Sequence, residues 1–156
     1  MPASNPHWCD AVSEAIEAHG FRGGFAVCFA EYRPDLVREL ASEVNVSQID
    51  FRAERMAPLG WSASDLGVEE LDAVIQTAIA TGQGVALQNG EALLVCKTEQ
   101  ERRRWLAATL CADWPYPVII PVVLLSEDLP EESSRIVRFN CEDLPQESLL
   151  VRLAGL

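Results

Sequence analysis

Apolar positions in this chain alternate between a helical rhythm and short continuous runs. Trp8, Val12, Ala15, Ile16 and His19 recur near helical spacing, with Asn5 as cap, Pro6 at the first helical position and Gly20 as the stop. Phe25 to Ala30 reads as a buried strand, and Leu36, Val37, Leu40, Ala41 and Val44 give a helix over 34–44. From 48 to 56, Ile49, Phe51 and Ala53 alternate with Asp50, Arg52 and Glu54, which suits a half-covered or edge strand. Residues 58–65 (PLGWSASD) form a loop by composition. Val68, Leu71, Val74, Ile75, Ala78 and Ile79 make one stripe of a helix over 68–81, ended by Gly82.

The second half repeats the alternation. Thr98 with Glu101 matches a capping box opening a helix to about 112, with Trp105, Leu106, Thr109 and Leu110 facing inward. Trp114-Pro115-Tyr116-Pro117 is a rigid connector, and Val118 to Leu125 is the most apolar strand. Pro121 requires an edge or a bulge there, because proline cannot donate to a ladder. Ile136 to Asn140 is a short last strand, and 144–156 a closing helix. This order predicts a single α/β domain over 1–156: three layers, a mostly parallel sheet of about five to six strands, helices on both faces.

Residues 85–96 have two readings. Asn89-Gly90 between apolar stretches favours a hairpin pairing 85–88 with 91–96. The alternative is one strand, Val85 to Gln88, then a polar elbow with Glu91 and a turn into the helix at 98.

On the alternative reading the element order over about 21–140 resembles a P-loop NTPase core of the RecA or AAA-like type. The resemblance implies a first strand leading through a phosphate loop, with an acidic strand end near Gln88-Asn89-Gly90-Glu91. The motifs depart from it. Glu31-Tyr32-Arg33 stands in place of a Gly-rich loop, Asn89 in place of a magnesium-associated Asp, and the single lysine, Lys97, lies elsewhere. The resemblance therefore implies a degenerate member that does not hydrolyse nucleotide.

Charge narrows the function classes. The formal charge is −12, with 24 acidic and 12 basic residues, against direct nucleic-acid binding or an anionic membrane surface. No apolar run reaches the ~20 residues of a membrane span, and the N-terminal residues lack a signal pattern, so a cytoplasmic location is expected. The five cysteines, Cys9, Cys28, Cys96, Cys111 and Cys141, contain no C-x-x-C pair and read as reduced, partly buried thiols. Cys28 and Cys96 fall in strands on this reading.

No catalytic, metal or cofactor constellation emerges. His7, Cys9 and His19 are too dispersed for a metal site, and Arg102-Arg103-Arg104 reads as a helix face partly offset by Glu99 and Glu101. Cys28 near the first strand's end, and the strand-end carboxylates Glu31, Asp50, Glu54, Glu91, Glu127 and Asp128, are what an enzyme would have to use. The loop aromatics are more telling: Tyr32, Trp61, Trp114 and Tyr116, with Arg33 and Glu91, form the expected partner-binding set. The leading expectation is a non-catalytic accessory or regulatory subunit that binds another protein. The alternatives are a nucleotide or small-ligand binder and a small enzyme. The apolar 118–125 strand and the short final strand leave a homodimer possible through edge pairing.

Overall fold

The computed structural model describes residues 7–131 and 133–146. Residues 147–156 of the closing helix expected over 144–156, and the expected cap Asn5 with Pro6, lie outside the described residues, and 144–146 are not helical. The elements are α1 (Asp10–Ala18), β1 (Gly23–Cys28), α2 (Pro34–Glu43), β2 (Ser47–Asp50), α3 (Glu69–Ile79), β3 (Val85–Gln88), α4 (Glu91–Leu94), α5 (Glu99–Cys111), β4 (Pro117–Val122) and β5 (Ile136–Arg138). All described pairings are parallel, in the order β2-β3-β4-β1-β5. The three-layer α/β architecture is the one the sequence pattern predicts.

Side-chain alternation along β1 separates the two cores. Phe25, Val27 and Phe29 meet Val12 and Ile16 of α1 and Leu36, Val37 and Leu40 of α2 on one face. Ala26 and Cys28 join Leu71 and Ile75 of α3 and Trp105 and Leu106 of α5 on the other. Pro34 opens α2, and Thr98 Oγ1 accepts the Glu101 backbone N–H at 3.1 Å, the first half of the expected capping box. α1 begins at Asp10, later than expected, and ends at Ala18, with Gly20 just beyond its cap at φ 72°. Gly24 is required by packing, since a Cβ there would collide with the Thr109 carbonyl of α5.

Four expectations are corrected. The hairpin does not form: Asn89 takes φ 63° and turns the chain directly into α4, so β3 pairs with β2 and β4 instead. Cys96 is consequently an exposed residue after α4, not a strand residue, whereas Cys28 is in β1. The strand expected over 48–56 ends at Asp50, because the Asp50 carboxylate accepts the Ala53 N–H at 3.1 Å and starts a helical turn. A π-helical turn (Arg52–Met56) follows where the strand is expected to continue, then 3-10 turns (Ala57–Asp65) where a loop is expected.

The fourth concerns β4, which is central rather than at an edge and ends at Val122. Val122 O accepts the Phe29 N–H, so Pro121, one residue earlier, turns its ring nitrogen toward β3. The β3–β4 ladder stops at Ala86↔Ile119, short of Pro121, so β4 accommodates the proline by a shortened pairing with β3. With β4 enclosed, edge-to-edge dimerisation through it has no edge to use; β2, half-buried as its alternation predicts, and β5 are the outer strands.

Candidate functional site

The C-terminal ends of the strands gather the unusual features. β1 leads to α2 on one face, while the chain leaving β4 packs Leu125 and Leu129 on the other. Adjacent β4 and β1 therefore part at a topological switch point, where open α/β sheets form ligand crevices. A cleft of about 250 Å³ lies here, lined by Tyr32, Arg52, Asn89, Ala92, Val123 and Leu124 as well as Glu91. Beneath it a smaller void of about 30 Å³ reaches Phe29, Val37 and Pro121. Larger open grooves of about 530 and 450 Å³ flank the outer edge of β5. They adjoin neither the switch point nor the polar network described next.

Side chains stitch the strand ends together. Gln48 of β2 donates to Gln88 Oε1 of β3, and Gln88 Nε2 donates to Tyr32 Oη at 3.5 Å. Asn89 Nδ2 donates to Asp50 Oδ1 at 2.9 Å. Glu91 crosses to the β4 exit: Oε1 accepts the Val123 N–H at 2.7 Å, and Oε2 accepts those of Leu124 and Leu125, each at 2.8 Å. Three successive amides thus converge on one carboxylate, the donor arrangement that elsewhere receives a phosphate or another anion. In this protein the anion is internal.

The six expected contact residues divide. Tyr32 is 52% exposed and Trp61 fully exposed, both on connections leaving strand C-termini. Arg33 is not at the surface: it is 6% exposed, gripped by both Asp35 oxygens at 3.1 and 3.0 Å, and donates to Pro145 O at 2.9 Å. The Arg33 guanidinium bonded to Asp35 holds that carboxyl below its usual range, against the opposing effect of burial. Glu91 is at the site, yet its carboxylate is spent on the three amides. Trp114 and Tyr116 precede β4 and lie at the opposite end of the sheet. Trp114 packs on the α3/α5 core and donates Nε1–H to Thr109 O at 3.0 Å.

The cysteine chemistry is unfavourable to a nucleophile. Cys28 is 5% exposed, and burial pushes its thiol up, with Arg138 opposing and Glu91 reinforcing. Cys9 is raised to about 12 by burial and by Glu39, Glu43 and Asp10. Neither histidine attends Cys28: His7 contacts Glu39 at 2.9 Å and His19 contacts Ser134 at 2.8 Å. No metal-binding group of three or more His, Cys, Asp or Glu residues occurs among the described residues. Of the strand-end acids, Asp128 is occupied by Arg102 at 2.7 Å and Arg103 at 3.1 Å. Arg103 also pairs with Glu99 at 2.8 Å, as its spacing predicts.

Sequence reasoning passes over Arg52, Leu124, Leu59 and Val95. Leu124 is hidden inside an apolar run, though it lies beyond β4 and is 73% exposed. Arg52 reads as the polar phase of a strand that in fact ends two residues earlier. The Asp50-x-x-Ala53 cap was the available signal. No helix among the described residues is long and apolar enough to cross a membrane. No protein family, curated protein or solved structure matches the chain.

Proposed function

We propose that this protein is a non-catalytic, cytoplasmic accessory or regulatory subunit that binds another protein through the C-terminal end of its sheet. One observation carries the reading. Of the seven large apolar residues exposed among the described residues, five leave strand C-termini: Tyr32 after β1, Leu59 and Trp61 after β2, Val95 after β3, and Leu124 after β4. Scattered single exposures are ordinary, but apolar groups concentrated at one end and headed by an unburied Trp mark an interaction surface. The polar network and the Glu91 clamp hold the connections that carry Tyr32 and Leu124, so binding would not have to order these first.

The test is capture from the native host's lysate with wild-type and Tyr32→Ala/Trp61→Ala protein, against a tag-only control. A stoichiometric protein partner lost from the double variant, with unfolding midpoint unchanged, supports the reading. Capture unaffected by the double variant overturns the mapping.

The second reading, a nucleotide or small-ligand binder on a degenerate P-loop-like core, is favoured by the crevice at the C-terminal end of an interior β1. The cleft of about 250 Å³ is smaller than pockets for drug-sized ligands, which start near ~300 Å³. Exposed Glu31 and the buried, acid-paired Arg33 supply no cation at the β1–α2 turn. A thermal shift with nucleotide and magnesium would support it; its absence across a millimolar panel removes it.

A further inference from the structure

Arg52 lines the C-terminal cleft and has no carboxylate partner among the described residues. The chain holds 24 acids against 12 bases, so carboxylates are in excess for its arginines. Arg22, Arg33, Arg55, Arg102 and Arg103 have one; Arg38, Arg52, Arg104, Arg135 and Arg138 have none among the described residues, and of these Arg52 lines the cleft. Arg52 has no carboxylate partner among the described residues, although two acids stand in the same neighbourhood. Both are engaged by N–H donors: Asp50 by Ala53 and Asn89, Glu91 by Val123, Leu124 and Leu125. The guanidinium is left exposed on a π-helical turn, a rare element frequent at functional sites. Asn89, facing it across the cleft, holds the left-handed backbone conformation (φ 63°) that non-glycine residues seldom adopt. Tyr32, Ala92, Val123 and Leu124 supply the apolar remainder.

We propose that this cleft receives a segment of the partner protein in which a large apolar side chain stands next to a carboxylate. The volume suits side chains rather than a cofactor. The apolar group would lie against Tyr32 and Leu124, and the carboxylate would take the guanidinium fork, a geometry arginine provides and lysine does not. Exclusion of water by the apolar walls strengthens that pair relative to an exposed one. The proposal rests on the protein-binding reading above and adds the chemistry of the docked segment.

The experiment is a titration of the full chain, followed by backbone amide NMR, with N-acetylphenylalanine, its uncharged amide, and cationic phenethylamine. The expected result is a saturable shift of the Asn89, Ala92 and Leu124 amides with a Kd in the millimolar range, the acid binding roughly tenfold tighter than the amide. Arg52→Gln should bring acid and amide to equal affinity while leaving the amide's own shifts in place, and Arg52→Lys should restore only part of the preference. Equal binding of acid and amide to the wild-type chain, preference for the cation, or no cleft shifts up to about 10 mM would overturn the proposal. The two readings fail separately. Partner capture that depends on Trp61 but not on Arg52, with no acid preference, sinks the cleft assignment alone. Absence of any protein partner, with the acid preference intact, sinks the accessory reading and leaves a carboxylate-binding cleft.

Discussion

Trp61 and Trp114 both sit in proline-containing connections, yet the two ends of the sheet treat them differently. At the N-terminal end Trp114 is half-buried, packs on the α3/α5 core and satisfies its indole N–H on Thr109. Nearby Gly24 lets α5 approach β1 so closely that no side chain fits between them. That end is closed by packing. At the C-terminal end Trp61 is fully exposed, and the closure is polar: Gln48, Gln88 and Tyr32 form one chain of side chains, and Glu91 clamps three amides. A packed end spends its apolar side chains on stability. A hydrogen-bonded end can hold its shape while leaving apolar side chains in water, which is the condition for recognition.

The contrast can be broken most severely at the packed end. Gly24→Ala drives a Cβ into the Thr109 carbonyl and should cost about 3 kcal/mol or more, read as a lower denaturant midpoint with reduced cooperativity. An unchanged midpoint would show that α5 can retreat from β1. At the polar end, Glu91→Ala leaves the Val123, Leu124 and Leu125 amides without their carboxylate and should cost about 2–3 kcal/mol. Glu91→Gln should cost less, because its one remaining oxygen can still serve Leu124 and Leu125. Hydrogen exchange at those amides should rise in both variants.

Acid should weaken the polar end selectively. Burial pushes the Asp128 carboxyl up, but the bonded Arg102 and Arg103 guanidiniums outweigh it and hold it below the usual carboxylate range. A depressed folded-state value gives stability that is fully present above the unfolded carboxylate range near ~4 and is lost as pH falls through the folded value. Asp128→Asn should therefore lower stability by about 2 kcal/mol at neutral pH and flatten the loss on acidification below about pH 4. A parallel acid profile in the variant would place the sensitivity elsewhere.

The two tryptophans give a direct pair. Trp114→Ala should destabilise by about 2 kcal/mol, whereas Trp61→Ala should move the unfolding free energy by no more than about 0.5 kcal/mol while reducing partner capture. The smallest effect is expected at Trp8, whose indole N–H is buried with no partner among the described residues. Trp8→Phe removes that unmet donor along with some packing, so a near-neutral change is expected; a loss comparable to Trp114→Ala would mean that ring size at this position dominates.

Much of the scaffold was legible because it follows from local rules. The stripes over 34–44 and 68–81 need only helical periodicity, the Thr98 cap only a short side chain reaching an open amide, and the Phe25–Phe29 alternation only the period of a strand. Charge excess and the missing phosphate-loop residues, likewise, are properties of the residue list. What failed depended on competition between local and distant partners. Asn89-Gly90 has the chemistry of a hairpin, but β2 and β4 offered β3 two parallel neighbours, and the same positive φ then served to aim the chain into α4.

The candidate site was less legible, since it is assembled by residues far apart in sequence. Residue types at turns pointed to Tyr32 and Trp61, and those two are exposed on connections that leave strand C-termini. Composition could not reveal that Arg33 would be buried against Asp35, or that Trp114 and Tyr116 would lie at the other end of the sheet. Nor could it reveal that Glu91 would be spent on amides 32 to 34 residues away, or that Arg52 would line the same cleft. By itself, then, the sequence determined the layers, the helix faces and the absence of a phosphate loop, because neighbouring residues suffice to write a period or a motif. Only the tertiary structure decided which end of the sheet stays apolar in water and which arginine lines its cleft, because both depend on which distant groups meet.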